Sequence, residues 1–354
     1  MTRYTNVMLH PDIPALVLAP MEGVTDAPMR AVQGGTGAFT FAVTEFLRVS
    51  HAVPPRHVFF DHVPELRTRA TTLTGLPVQV QLLGGDAGRM AESAARACEL
   101  GATAIDINFG CPAPTVNRHD GGAALLRHPL RIREIVGAIR AAVPSAVPVS
   151  AKLRLGWDTL DAVHENATMA AEGGASWLTI HGRTRVAGYA PPIHWEPIGR
   201  VRERLGIPVV ANGDIWTLDD FRRCRDTTGS RHFMLGRGAL ADPCLARRVA
   251  AELGLAPRDE EEPEGPVDWA AQLRSLVEWS RRFDMLRSDK NVSRLKQWLR
   301  LASQFGSFEH FDRVKRTESV SELFAALECA ADYERAPRMS SATATASAPP
   351  SPSA

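Results

Sequence analysis

The 354-residue chain is 44% apolar with a formal net charge of +1. That is enough to bury a large core, and too balanced for total charge to announce a nucleic-acid partner. No window approaches a membrane-spanning run, no charged leader precedes a long apolar stretch, and the five cysteines (98, 111, 224, 244, 329) contain no CxxC pair, which disfavours a disulfide framework and a zinc site. A cytoplasmic protein with reduced thiols and no metal is expected.

After an amino-terminal segment (1–14), short β-rich runs alternate with helical patterns, the mark of βα units and a parallel sheet. Strands are predicted at 15–19, 39–44, 78–82, 104–108, 149–153, 177–181, 209–212 and 232–235. Helices are predicted near 26–33, 87–100, 130–142, 161–172, 196–204, 218–226 and 239–252, with an irregular, proline-containing second connection. Eight such repeats over 15–255 predict a (β/α)₈ TIM barrel; a doubly wound open sheet competes but lacks a glycine fingerprint on its first turn. An acidic linker follows at 256–266. Residues 267–335 then predict a small all-helical domain, with Trp269, Leu273, Leu276, Val277 and Phe283 on one apolar stripe and Val292, Leu295, Trp298, Leu299, Ala302 and Phe305 on another. The Ser-, Ala- and Pro-rich tail, 336–354, predicts disorder.

Between 267 and 316 eleven cations face six carboxylates. Arg294, Lys296 and Arg300 fall off the apolar stripe and are expected to stand free for phosphates, although a solvated helix face explains the pattern equally well.

Strand ends in a barrel converge on one face, so they can be read as site candidates. They are Pro20-Met21-Glu22, Glu45 and Arg48, Gln81, Asn108 and Cys111, Lys152 and Arg154, His181 and Arg183, Asn212-Gly213-Asp214, and Gly236-Arg237-Gly238. The last two are glycine turns at adjacent strand ends, where barrels hold phosphate, and Arg237 adds a fork of donors. Lys152 in a barrel mouth needs an anion or an electron-rich ring; with His181 it would oppose negative charge on a reduced flavin, while Gln81 would bond a planar heterocycle's amide edge. The bland alternatives are a snorkelling lysine, a satisfied core histidine and glutamine, and a Cys111 that is simply a small core residue.

The motifs LAPMEGVTD (18–26), VQLLGGD (80–86), DINFGCPAPTVN (106–117), GGAALL (121–126), KLRLGWD (152–158), HGRTRVAGY (181–189), PVVANGDIW (208–216), LGRGAL (235–240) and SRLKQWL (293–299) together resemble the tRNA-dihydrouridine synthases. PMEGV, TEFLRVS (44–50), GWD and RLKQWL look most like the subgroup that modifies position 16 of the tRNA D-loop. The resemblance implies an FMN-dependent barrel that takes hydride from NADPH or NADH and reduces uridine in tRNA, acting as a monomer with tRNA as its partner. It implies Cys111 as general acid, and Pro20, Met21, Glu22, Gln81, Lys152, His181, Asn212, Gly213, Asp214, Gly236 and Arg237 as the FMN site. Arg48, Asn108, Tyr189, Arg294, Lys296 and Lys315 match tRNA-side positions. Phe109 replaces a second cysteine of the subgroup pattern, and Ala113-Pro114 stands where the family often has a lysine. The rival readings are a flavin barrel acting on a free pyrimidine and a tRNA-binding module without catalysis.

Overall fold

The computed structural model describes residues 8–118, 120–255, 267–285 and 288–335. The predicted acidic linker and tail lie outside the described residues. Among the described residues nine strands, β1 (Ala15–Leu18), β2 (Phe41–Val43), β3 (Leu47–Arg48), β4 (Val78–Leu83), β5 (Ile105–Asn108), β6 (Val149–Arg154), β7 (Trp177–His181), β8 (Val209–Asn212) and β9 (His232–Leu235), pair in parallel throughout. Because β1 lies between β2 and β9, and β2 also pairs with β4, the sheet closes on itself. The predicted TIM barrel is the observed fold.

β2 and β3 share one barrel position against β4. The predicted second strand is shorter than expected because side chains take over the ladder there: Thr44 Oγ1 accepts the Gln81 N–H at 2.9 Å, and the Glu45 carboxylate turns to the Val24 N–H at 3.0 Å. The irregular second connection contains a helix, Arg56–His62, and a 3₁₀ turn, Pro64–Thr68. Glu65 from that turn makes a buried two-bond pair with Arg30, at 2.8 and 2.7 Å. The single helix predicted at 239–252 is two, Arg237–Ala241 and Leu245–Glu252. Pro243 cannot continue the first, and the Asp242 carboxylate accepts the Cys244 N–H at 2.9 Å before the second begins.

Strand alternation divides the barrel interior. Val17, Phe41, Val43, Trp177, Val210 and Met234 form an apolar cluster, with Phe41 and Trp177 edge to face at 6.0 Å. Gln79 and Gln81 on β4, Asp106 and Asn108 on β5, and Ser150 on β6 form a hydrogen-bonded polar network. Residues of opposite parity, such as Val80, Ile105, Ile107, Ala151 and Leu153, join the larger core with the helices.

The carboxyl-terminal helices Trp269–Arg282, Ser288–Phe305, Phe311–Val314 and Val320–Arg335 share a core with Met29, Val32 and Leu240 of the barrel. Trp298 Nε1 donates to the Leu240 carbonyl at 2.8 Å. A Cβ at Gly306 would lie 2.0 Å from the Ala241 carbonyl oxygen, so glycine permits this approach. Phe283 caps the first of these helices instead of continuing its stripe. Phe305 is 43% exposed and stacks on Trp216 of the barrel at 4.2 Å. Among the described residues no helix is long and apolar enough to cross a membrane.

Arg294 corrects an expectation. Its guanidinium is not free for phosphate: it pairs through two nitrogens with the carboxylate of Asp26, which also caps the helix Ala27–Gly34. The pair pins the helical region to the barrel across 268 residues of sequence. Arg294→Met is therefore expected to lower stability by about 2 kcal/mol in a urea melt and to leave the salt dependence of RNA binding unchanged. A flatter salt slope with an unchanged melt would return Arg294 to phosphate duty.

Candidate active site

A cavity of about 350 Å³ opens at the carboxyl ends of the strands. Pro20, Met21, Glu22, Gln81, Asn108, Cys111, Lys152, Arg154, His181, Tyr189, Asn212, Gly213, Asp214, Gly236 and Arg237 all reach it. Residues spread over more than two hundred positions converge because each follows, or ends, a parallel strand.

The β1 turn is pinned from within, with Thr25 Oγ1 accepting the Met21 N–H at 2.7 Å. The β5 loop hangs from Asn108, whose Oδ1 accepts the N–H groups of Gly110 and Cys111, both at 2.9 Å. Gly122 packs under Cys111 at φ +59°, where a Cβ would meet the Cys111 Cβ and carbonyl at 3.0 Å. Arg154 clamps the same loop, donating to the Gly110 carbonyl at 2.8 Å and to those of Thr184 and Gly188 at 2.9 and 2.7 Å. Cys111 is a free, partly buried thiol. Burial pushes its pKa up, which keeps the sulfur protonated at neutral pH.

Lys152 donates to Asn212 Oδ1 at 3.0 Å. Burial, reinforced by Arg154, lowers its pKa to about 8. His181 departs from expectation. Burial first, then Lys152, Arg154, Arg183 and Arg237, drive its pKa well below the usual imidazole range, so the ring is neutral and the local cation is Lys152. Among the described residues, buried His181 Nδ1 has no hydrogen-bond partner. Gln81 is also more committed than predicted. Its Nε2 donates to Asp106 at 2.7 Å and its Oε1 accepts from Asn108 at 2.9 Å, which leaves one donor and one acceptor site for a ligand.

Gly213 has φ +121°, and a Cβ there would meet Ile193 at 2.7 Å and His181 Nε2 at 3.3 Å. Asp214 holds Arg183 in a buried two-bond pair and Arg237 at 3.5 Å. The Arg237 guanidinium lies 4.7, 4.9 and 5.5 Å from the ring centroids of Tyr189, Trp216 and Phe305. With Lys152 and Arg154 it makes one end of the cavity cationic, next to a protonated thiol.

The dihydrouridine synthase family model matches residues 17–319. The chain belongs to the dihydrouridine synthase family. It is 45% identical over 291 residues to the tRNA-dihydrouridine(16) synthase of Pseudomonas syringae pv. tomato, covering 82% of this chain and 90% of that protein. It is 40% identical over 328 residues to the tRNA-dihydrouridine(16) synthase of Neisseria meningitidis serogroup B, covering 90% and 95%. Histamine dehydrogenase from Rhizobium sp. 4-9 matches in fold, with TM-score 0.52 and 15% identity, over 69% of this chain and 47% of that one.

Within this dihydrouridine synthase fold, four of the six tRNA-side candidates lie outside the cavity. Arg48 stands on the rim of a neighbouring groove that shares Glu22 and Phe46 with it, and donates to the Thr115 carbonyl at 3.4 Å. Lys296 donates to the Thr317 carbonyl at 2.8 Å, and Lys315 pairs with Asp312 at 2.5 Å, so these cations too are engaged. Arg294 is paired with Asp26. Sequence reasoning missed Trp216 and Leu301 as parts of the mouth, Phe305 as the ring stacked on Trp216, and Asp106 as support beneath the cavity. The alternation in VQVQ and AIDIN signalled Asp106, because it shares a strand face with Asn108. Nothing local signalled Phe305, which arrives from another part of the chain.

Proposed function

We propose that this chain reduces uridine to 5,6-dihydrouridine at position 16 of the tRNA D-loop, as a monomer, with FMN as cofactor and NAD(P)H as reductant. The observation that carries the reading is the place of the Cys111 thiol, whose pKa burial raises, on the wall of the cavity that Lys152, His181 and the two glycine turns also line. The name shared by the similar Pseudomonas and Neisseria proteins supports position 16.

The residues present fit FMN. Buried His181 Nδ1 awaits a partner, Lys152 supplies a cation for an electron-rich ring, and Gly213 and Gly236 present backbone to the cavity. Arg237, with the turn at Gly236, would take the phosphate; Pro20, Met21, Glu22, Gln81, Asn212 and Asp214 would surround the rest. When bound, FMN would supply hydride to C6 of uracil. Cys111 gives its proton to C5, which quenches the negative charge that develops on the ring. Arg154 holds the Cys111 loop in place while the transfer occurs. Asn108 and Tyr189 would meet the extruded uridine, and Arg48, Lys296 and Lys315 would exchange their present partners for the surrounding tRNA.

The test is digestion and mass spectrometry of tRNA lacking dihydrouridine, after incubation with protein, FMN and NADPH. A two-dalton gain at D-loop position 16 is expected. A gain at another uridine would move the site, and turnover of free uracil or orotate without RNA would replace the reading.

A further inference from the structure

From this reading of Cys111 as the acid, we infer that Asp106 is a positioning residue that sets the geometry of the Cys111 loop through the side chains of Gln81 and Asn108. The links run in one direction. Asp106 Oδ2 accepts from Gln81 Nε2 at 2.7 Å, Gln81 Oε1 accepts from Asn108 Nδ2 at 2.9 Å, and Asn108 Oδ1 accepts the Gly110 and Cys111 N–H groups at 2.9 Å.

A primary amide can bind with either face reversed, so neither Gln81 nor Asn108 alone determines which end faces which neighbour. Asp106 removes that freedom. Burial raises the Asp106 pKa, while the Ser150 and Gln81 hydrogen bonds and the charge of Lys152 favour its ionised form; a carboxylate offers only acceptors, so the Gln81 NH₂ must face it, the Gln81 oxygen must face Asn108, and the Asn108 oxygen must face the loop. Were the Asn108 amide reversed, its NH₂ would oppose two backbone N–H donors and the loop would lose both anchors. Asp106 in turn is held by Ser150, whose hydroxyl donates to its Oδ1 at 2.5 Å and accepts from Gln79 Nε2 at 2.9 Å. Asp106, Gln81 and Ser150 are buried, at 2%, 0% and 0% exposure, so water offers the amides little alternative. The strand register supports the chain, pairing Gln81 with Asp106 and Asp106 with Ser150.

The test reads the loop directly, through alkylation of Cys111 by iodoacetamide in apoprotein, followed by peptide mapping across pH. Asp106→Leu is expected to free the loop, expose the thiol, raise its alkylation rate at pH 8 by about fivefold and move the midpoint of the pH profile downward. Ser150→Ala, which leaves the three links intact, is expected to stay within about twofold of wild type, and Asp106→Asn, whose amide can face Gln81 with either end, to fall between wild type and Asp106→Leu. Wild-type alkylation in Asp106→Leu would overturn the inference, as would equal acceleration in Ser150→Ala. Should Asp106→Leu fail to fold, Gln81→Met cuts the chain at its middle without changing charge, and the same acceleration is required of it. Because the assay needs neither FMN nor tRNA, a protein inactive on tRNA would count against the proposed function and leave this result standing.

Discussion

Cys111→Ala is expected to leave the reduction of bound FMN by NADPH within about twofold of wild type while slowing uridine reduction in tRNA by about 10³-fold. The split follows from where the thiol sits. Cys111 lies on the β5 loop, anchored by Asn108 and by Arg154 through the Gly110 carbonyl, whereas the groups suited to FMN lie on the turns after β1, β8 and β9 and at Lys152 and His181. Removing the sulfur therefore touches the proton donor and spares the cofactor's surroundings. The pH dependence provides an independent check. Burial raises the thiol's pKa, so the wild-type rate should be flat through neutral pH and fall only above the ordinary thiol range of about 8.5. Anaerobic stopped-flow absorbance separates the half-reactions: first NADPH against the enzyme, then the reduced enzyme against unmodified tRNA. Equal slowing of both would remove Cys111 from the proton step.

Strand positions were legible in the sequence because each is a short apolar run ended by polar or glycine-containing turns, as in ANGD and LGRG, and parallel pairing then brings the turns together. The cavity-lining candidates could be found for the same reason. What could not be read was how those side chains answer one another. His181 is held neutral first by its burial in the assembled barrel and then by Lys152, Arg154, Arg183 and Arg237, which arrive around it from β6, β7 and β9, and helical periodicity shows that Arg294 is off the apolar stripe without showing that Asp26 waits there. The division of strand two into β2 and β3 depends on Thr44 and Glu45 finding Gln81 and Val24, contacts invisible to a local pattern. Pro243, by contrast, is a helix breaker that the expectation of one helix over 239–252 passed over, and with the Asp242 carboxylate it accounts for the two-helix outcome.

Lys152→Met is expected to stabilise the apoprotein by about 2–3 kcal/mol at pH 7 while slowing tRNA reduction by about 10²-fold or more. The sign follows from the direction of the shift. The ammonium loses protons near pH 8 in the fold, against 10.5 for the unfolded reference. Between those values the unfolded chain binds the extra proton, so this group's contribution to stability rises with pH across the window, and below about 8 its full penalty is present. Methionine removes the penalty at similar length, so the variant's advantage should be greatest at neutral pH and shrink towards zero near 10.5. Urea melts of both apoproteins at pH 7 and 10.5 read the difference directly, with other titrating groups common to both. A partner anion reverses the balance: against an electron-rich ring the charge becomes useful, which is why a residue that weakens the empty fold is expected to be needed in the loaded one. If Lys152→Met were less stable than wild type at pH 7 by a margin indifferent to pH, the amine would instead be a structural partner of Asn212, and the cationic end of the cavity would have to rest on Arg154 and Arg237 alone.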